Sequence, residues 1–168
     1  AMKWKNVDWE QGKYSVTETY QYHGESPGFK RPKSAKSAGV VELSPACLEL
    51  LKTHRKEQVR HRLQTPGYVD LDLLFPRKKG TIFLPPNIWT DIWQPLLKKA
   101  GVPKLRLHDL RHTCAALLID QGESPKFIQQ QMRHATIQTT FDTYGHLFPE
   151  HGQEALGRLD SALFGAAH

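Results

Sequence analysis

From Leu107 to the C-terminus the chain alternates short stretches of helical apolar spacing with Gly, Pro and Ser punctuation, which restricts this half to a set of short packed helices. Leu110, Cys114, Leu117 and Leu118 recur at i, i+4, i+7 and i+8, the stripe expected of a helix with one buried face. Gly122 closes that segment, and Ser124-Pro125 opens a second helix through Met132. Thr136 to Leu147 reads as a third helix and Gln153 to Phe164 as a fourth, with Leu156, Leu159 and Leu163 on one side.

The first half is patterned differently. Met2 to Trp9 reads as the close of a helix running into a turn. Lys13 to Tyr20 is rich in β-branched and aromatic residues and predicts a strand, and Val40-Val41-Glu42-Leu43 a short returning one. Gly24 to Ala38, between them, is polar, basic and rich in breakers, as in a loop or hairpin tip. Ser44-Pro45 supplies an N-cap and a first-turn proline for a helix to about Leu63. After an irregular stretch to Gly80, a helix is expected over Asn87 to Ala100, kinked or broken at Pro95 and stopped by Gly101. The predicted class is α+β: mostly helical, with a small antiparallel sheet.

At 168 residues the chain has room for one domain. No apolar run approaches the roughly 20 residues that span a bilayer. Two cysteines, Cys47 and Cys114, are too few for a disulfide scaffold or a four-cysteine zinc site, so an intracellular, cytoplasmic setting is the default expectation. The net charge is +6. Residues 30–64 hold nine basic side chains (Lys30, Arg31, Lys33, Lys36, Lys52, Arg55, Lys56, Arg60, Arg62) against three acidic ones, a local excess equal to the surplus of the whole chain. Such a window fits either a polyanionic partner or a solvated basic helix.

Two clusters carry chemistry. In Leu107-His108-Asp109-Leu110-Arg111-His112-Thr113, His108 and Arg111 stand at i and i+3 of a helix and face one way, with Leu110 and Cys114 expected in the core on the other. A guanidinium fork beside an imidazole suits a phosphate, although a capped helix start with a solvated histidine has the same composition. The second cluster is Arg133-His134 followed by Thr139-Thr140-Phe141-Asp142-Thr143-Tyr144-Gly145-His146. His134 lies 23 residues beyond Arg111, and Tyr144 a further 10. A zinc site is a weaker reading: His108 and His112 stand at i and i+4, but Asp109-Leu110-Arg111 replaces the HExxH interior and puts a cation between the ligands.

Taken together, His108-x-x-Arg111, His134 and Tyr144, in the setting HDLRHT…RHATIQTTFDTYGHLFPE, closely resemble the tyrosine recombinase (phage integrase) family. Lys3 to Trp9 looks like the family's lead into its sheet, Pro32-Lys33-Ser34 before Val40-Val41-Glu42-Leu43 like its lysine-bearing hairpin, and Gln94 to Gly101 like the helix before its first His/Arg box. The resemblance implies site-specific DNA strand exchange without metal or nucleotide cofactor. Tyr144 would attack a phosphodiester to leave a 3′-phosphotyrosyl bond, and Arg111 would clamp the phosphate. His108 would take the phenol's proton, and His134 would donate to the phosphate. Lys33, or failing that Lys36, would protonate the departing 5′-oxygen. Double-stranded DNA is the implied partner, contacted by Lys30, Arg31, Lys36, Arg55, Arg60 and Arg62, with self-association into a tetramer on DNA and a nucleoid-associated place in a prokaryotic cell. Residues 1–148 would be part of the catalytic domain, and 149–168 a helical tail that docks on a neighbouring protomer or packs on its own domain.

Two departures stand out. No arginine precedes Arg31, so the family's first catalytic arginine is missing, which implies a truncated chain or a remnant that no longer cuts, and in either case one inactive alone. Arg133 replaces the glycine that commonly precedes the second histidine. A non-catalytic DNA-binding remnant and a topoisomerase-like enzyme with the same tyrosine chemistry are the alternatives.

Overall fold

The computed structural model describes residues 2–22, 28–30, 39–149 and 152–165. The N-terminal half is built on a three-stranded antiparallel sheet in the order β1 (Val7–Asp8), β2 (Lys13–Val16), β5 (Gly39–Glu42), with Tyr14 opposite Val7 and Val41. A separate hairpin, β3 (Thr19–Gln21) and β4 (Gly28–Lys30), branches from it. The single strand expected over Lys13 to Tyr20 is therefore two, because the chain leaves one sheet after Val16 and enters the other at Thr19. The expected helix end at Met2 to Trp9 is instead one 3-10 turn, Trp4–Asn6, running into β1. It is tied down by non-local bonds: Trp4 N–H to the Asp72 carbonyl, and Lys3 N–H to the Tyr14 hydroxyl at 3.0 Å.

Helix α1 (Pro45–Gln64) begins as the sequence predicts, with the Ser44 hydroxyl accepting from Cys47 N–H at 3.2 Å. Only Leu51 of this strongly polar helix is buried, and with Trp4, Val7, Tyr14 and Leu74 it forms the first core. The segment expected over Asn87 to Ala100 is α2 (Pro85–Ile88), a π-helical stretch over Trp89–Trp93, and α3 (Gln94–Ala100). Pro95 lies in the first turn of α3, where its missing N–H ends the preceding bonding pattern, and Gly101 stops the helix at φ 66°.

The second core joins α4 (Asp109–Asp120), α5 (Pro125–Gln131) and α6 (Ile137–Tyr144) through Ala115, Ile119, Ile128, Met132 and Tyr144. The expected long third helix is α6 plus a 3-10 turn, Gly145–Leu147, and α7 (Gly152–Phe164) follows. One expectation fails here. Leu110 and Leu117 are 45% and 59% exposed and Cys114 is exposed, whereas Ala115 and Ile119 are buried. Of the expected stripe Leu118 alone packs against this core, so the inner face of α4 is centred on Ala115 and Ile119.

The halves meet where α5 packs on β5. Gln131 reaches the exposed edge of that strand, its Oε1 accepting from Glu42 N–H at 2.9 Å and its Nε2 donating to the Glu42 carbonyl at 2.8 Å.

Candidate active site

The site is assembled at the start of α4, the end of α5 and the end of α6. Trp93 Nε1 donates to the Leu105 carbonyl at 2.6 Å and fixes the approach to α4. Asp109, in the first turn, accepts from the backbone N–H of Arg106 at 2.9 Å and from its guanidinium at 2.7 Å. Those hydrogen bonds hold the Asp109 carboxyl below its ordinary range and place a fixed anion at the positive end of the helix. Arg111 and His112 follow one after the other and turn toward α5 and α6.

Helix α5 ends in a Schellman cap. Arg133 N–H bonds to the Gln130 carbonyl and His134 N–H to the Gln129 carbonyl, both at 2.9 Å, while Arg133 adopts the left-handed conformation at φ 53°. That is the place in such a cap which favours glycine, so Arg133 keeps the turn geometry at a conformational cost of about 1 kcal/mol. Its side chain passes over Gly39 of β5, where a Cβ would come within 3.1 Å of Arg133 Nε. The turn delivers His134 to the inside of the site.

Helix α6 is capped by Thr136, whose hydroxyl accepts from Thr139 N–H, and presents Thr140 and Tyr144 inward at i and i+4. The Tyr144 ring is 4% exposed and stacks on His134 at 6.2 Å between centroids. Its hydroxyl is 2.9 Å from Nδ1 of His112. His134 Nδ1 is in turn 2.9 Å from the hydroxyl of Thr140, which is fully buried. An Arg111 Nη2–H donates to the carbonyl of Met132, two residues before His134. Burial raises the Tyr144 pKa and lowers that of His134; the charge of Arg111 opposes the first shift and adds to the second.

Three of the residues singled out in the sequence, Arg111, His134 and Tyr144, are thus together. His108 is at the exposed cap position of α4, and its ring meets the edge of His112 at 4.9 Å instead of the phenol. The sequence motif does not single out His112 and Thr140 as site residues, although His112 stands one turn after His108 and Thr140 one turn before Tyr144. Among the basic residues, Lys30 and Arg60 are exposed, Arg55 lies over Trp4 at 5.5 Å, and Arg62 is paired with Asp70. Arg31, Lys33 and Lys36 lie outside the described residues. Beside His134 a cleft of about 620 Å³ opens between the sheet and α5, lined by Lys13, Ser15, Gly39 and Arg133 among others. Among the described residues, no group of three His, Cys, Asp or Glu side chains is arranged to hold a metal ion, and no helix is long and apolar enough to cross a membrane.

Known proteins repeat this arrangement of elements. The chain is 28% identical to the ICEBs1 integrase of Bacillus subtilis, over 97% of its own length and 44% of that protein's. It is 26% identical to the prophage integrase IntR of Escherichia coli, over 97% and 42%. It therefore spans less than half the length of these relatives. Among solved structures, XerA recombinase superposes with a TM-score of 0.64 at 26% identity, over 97% of this chain and 50% of that one. The Tn1549 transposon integrase in complex with circular intermediate DNA shares the fold, with a TM-score of 0.68 at 17% identity over 96% and 53%. The profile of the phage integrase family matches residues 1–151, and on that match, with Arg111, His134 and Tyr144 gathered at one site, the chain belongs to the phage integrase family.

Proposed function

We propose that this chain carries the nucleophile and most of the phosphate-binding groups of a site-specific DNA recombinase that cuts and rejoins strands through a 3′-phosphotyrosyl intermediate. The observation that carries the reading is the convergence of Arg111, His134 and the Tyr144 hydroxyl, drawn from three separate helical segments. A phenol titrating near 10 is a poor nucleophile at neutral pH, so it needs a proton acceptor and a neutralised target. Arg111, anchored on the Met132 carbonyl, is held to offer its remaining N–H groups to the non-bridging oxygens. Nδ1 of His134 is hydrogen-bonded to the Thr140 hydroxyl, and assigning Thr140 as the donor puts the ring proton on Nε2, which then serves the same phosphate. Conserving the phosphoester in the tyrosyl link allows religation without a nucleotide cofactor. The departing 5′-oxygen takes its proton from the hairpin lysine, Lys33 or Lys36.

Duplex DNA is the proposed substrate, and Lys30, Arg55, Arg60 and Arg62, all exposed, are its phosphate contacts among the described basic residues. Self-association on DNA is proposed to run through residues 149–168: no residue of α7 is buried, and Leu156, Leu159, Leu163 and Phe164 are 57%, 51%, 64% and 70% exposed. The test is a nicked duplex whose cleaved 5′-hydroxyl fragment diffuses away. The full-length protein is expected to trap a covalent adduct that Tyr144→Phe abolishes and a chelator leaves intact. An adduct surviving Tyr144→Phe, or lost with chelator, overturns the reading.

A further inference from the structure

We infer that His112, one turn beyond His108, is the general base that takes the Tyr144 phenol proton. The inference rests on the strand-cleavage reading above and assigns one of its steps. The phenol oxygen is 2.9 Å from Nδ1 of His112, a distance for direct proton transfer. The two rings are tilted by 62° at 5.8 Å between centroids, so the contact is a hydrogen bond at the ring edge and not a stack. His108, the other candidate, contacts His112 and not the phenol.

The surroundings favour the charge that transfer creates. Around His112 are His108 and Asp109 on its own helix, Arg111 beside it, Tyr144 from α6 and His134 from the turn after α5, with Cys114 near the phenol. Asp109, kept ionised by Arg106, is the one anion of this group and stabilises an imidazolium at His112. Arg111 opposes that charge until a phosphate oxygen pairs with its guanidinium.

In the transfer the Tyr144 O–H bond breaks, its proton passes to Nδ1 of His112, and the oxygen's electron pair forms the bond to phosphorus. The P–O5′ bond then breaks, and the leaving oxygen takes a proton from a lysine ammonium. Religation reverses each transfer. The transfer requires that Nδ1 of His112 be bare beforehand, with the ring proton on Nε2.

Two measurements test this. In nitrogen-15 spectra of the 168-residue chain at neutral pH, His112 should show a bare Nδ1 and a protonated Nε2; a protonated Nδ1 donating to the phenol oxygen overturns the proposal. In the full-length protein, cleavage of the nicked duplex is compared across pH for His112→Asn, His112→Ala and His108→Ala. The carboxamide oxygen introduced by His112→Asn reproduces the hydrogen bond but cannot take the proton. His112→Asn and His112→Ala should both cut roughly 100-fold or more slowly and lose the rise in rate with pH, while His108→Ala retains that rise. Near-native cleavage by His112→Asn makes His112 a positioning residue only, and loss of the pH dependence in His108→Ala moves the base to His108; either result overturns the proposal. If the unaltered protein forms no Tyr144 adduct, the strand-cleavage reading fails, and the tautomer measurement still decides where the phenol's proton points.

Discussion

The Gln131 side chain holds both backbone groups of Glu42, its Oε1 accepting from the amide at 2.9 Å and its Nε2 donating to the carbonyl at 2.8 Å. A side-chain amide here completes the edge of β5 as a further strand would, and it does so three residues before His134. The sheet and the turn that carries His134 are therefore fixed to one another. Gln131→Leu removes both bonds at an exposed edge where water replaces part of them, so about 1 kcal/mol of stability is expected to go. Urea unfolding measures this loss, and hydrogen exchange should show faster exchange at the Glu42 amide in particular.

Arg133 gives a backbone prediction. Its φ of 53° within a Schellman cap favours glycine, and its side chain packs over Gly39. Comparing Arg133→Gly with Arg133→Ala separates the two effects, since both remove the side chain and only the second keeps the strain. The glycine variant should be the more stable by about 1 kcal/mol in denaturant titrations.

Stability should fall on both sides of neutrality for reasons centred on the site. His134 has its pKa lowered by burial first, then by Arg111 and His112. The unfolded chain then binds the more protons below its ordinary value near 6.5, so the contribution of His134 is full above that pH and is lost as pH falls through the folded value. Tyr144 has its pKa raised, chiefly by burial. Its contribution is full below about 10 and is lost as pH rises through the higher folded value. Thermal unfolding across pH should show both limbs, with the alkaline one reduced in Tyr144→Phe and the acid one in His134→Gln.

Thr140 tests how His134 is oriented. Its hydroxyl is fully buried and 2.9 Å from His134 Nδ1. Thr140→Val keeps the shape and deletes the donor, leaving Nδ1 without its partner at a cost of about 1–3 kcal/mol. Histidine nitrogen spectra should show the His134 tautomer preference weakened, and DNA cleavage should slow more than DNA binding weakens.

The order of elements is legible wherever local chemistry decides it. Ser44-Pro45, Ser124-Pro125 and Gly101 mark real helix ends because capping acts over a single turn of chain. The spacing from Arg111 to His134 to Tyr144 also locates three side chains that do converge. What local pattern does not supply is tertiary. The stripe of Leu110, Cys114, Leu117 and Leu118 has the period of a buried face, yet the inner face is centred on Ala115 and Ile119 with Leu118 beside them, and a period does not say which side a neighbour will take. Lys13 to Tyr20 divides between two sheets at a point that depends on pairing partners far along the chain. Likewise His108 and His112 are equivalent by composition, and only the position of α6 places the phenol against the second.

The most direct measurement of the central claim is the chemical identity of the protein–DNA link. The full-length protein is trapped on a nicked duplex, digested with protease, and the DNA-bearing peptide is sequenced by mass spectrometry with the DNA end mapped. The expected product is a single peptide modified at Tyr144, joined to a 3′-phosphate, with a free 5′-hydroxyl on the other fragment. A link to any other residue, or a 5′-phosphate attachment, contradicts the account.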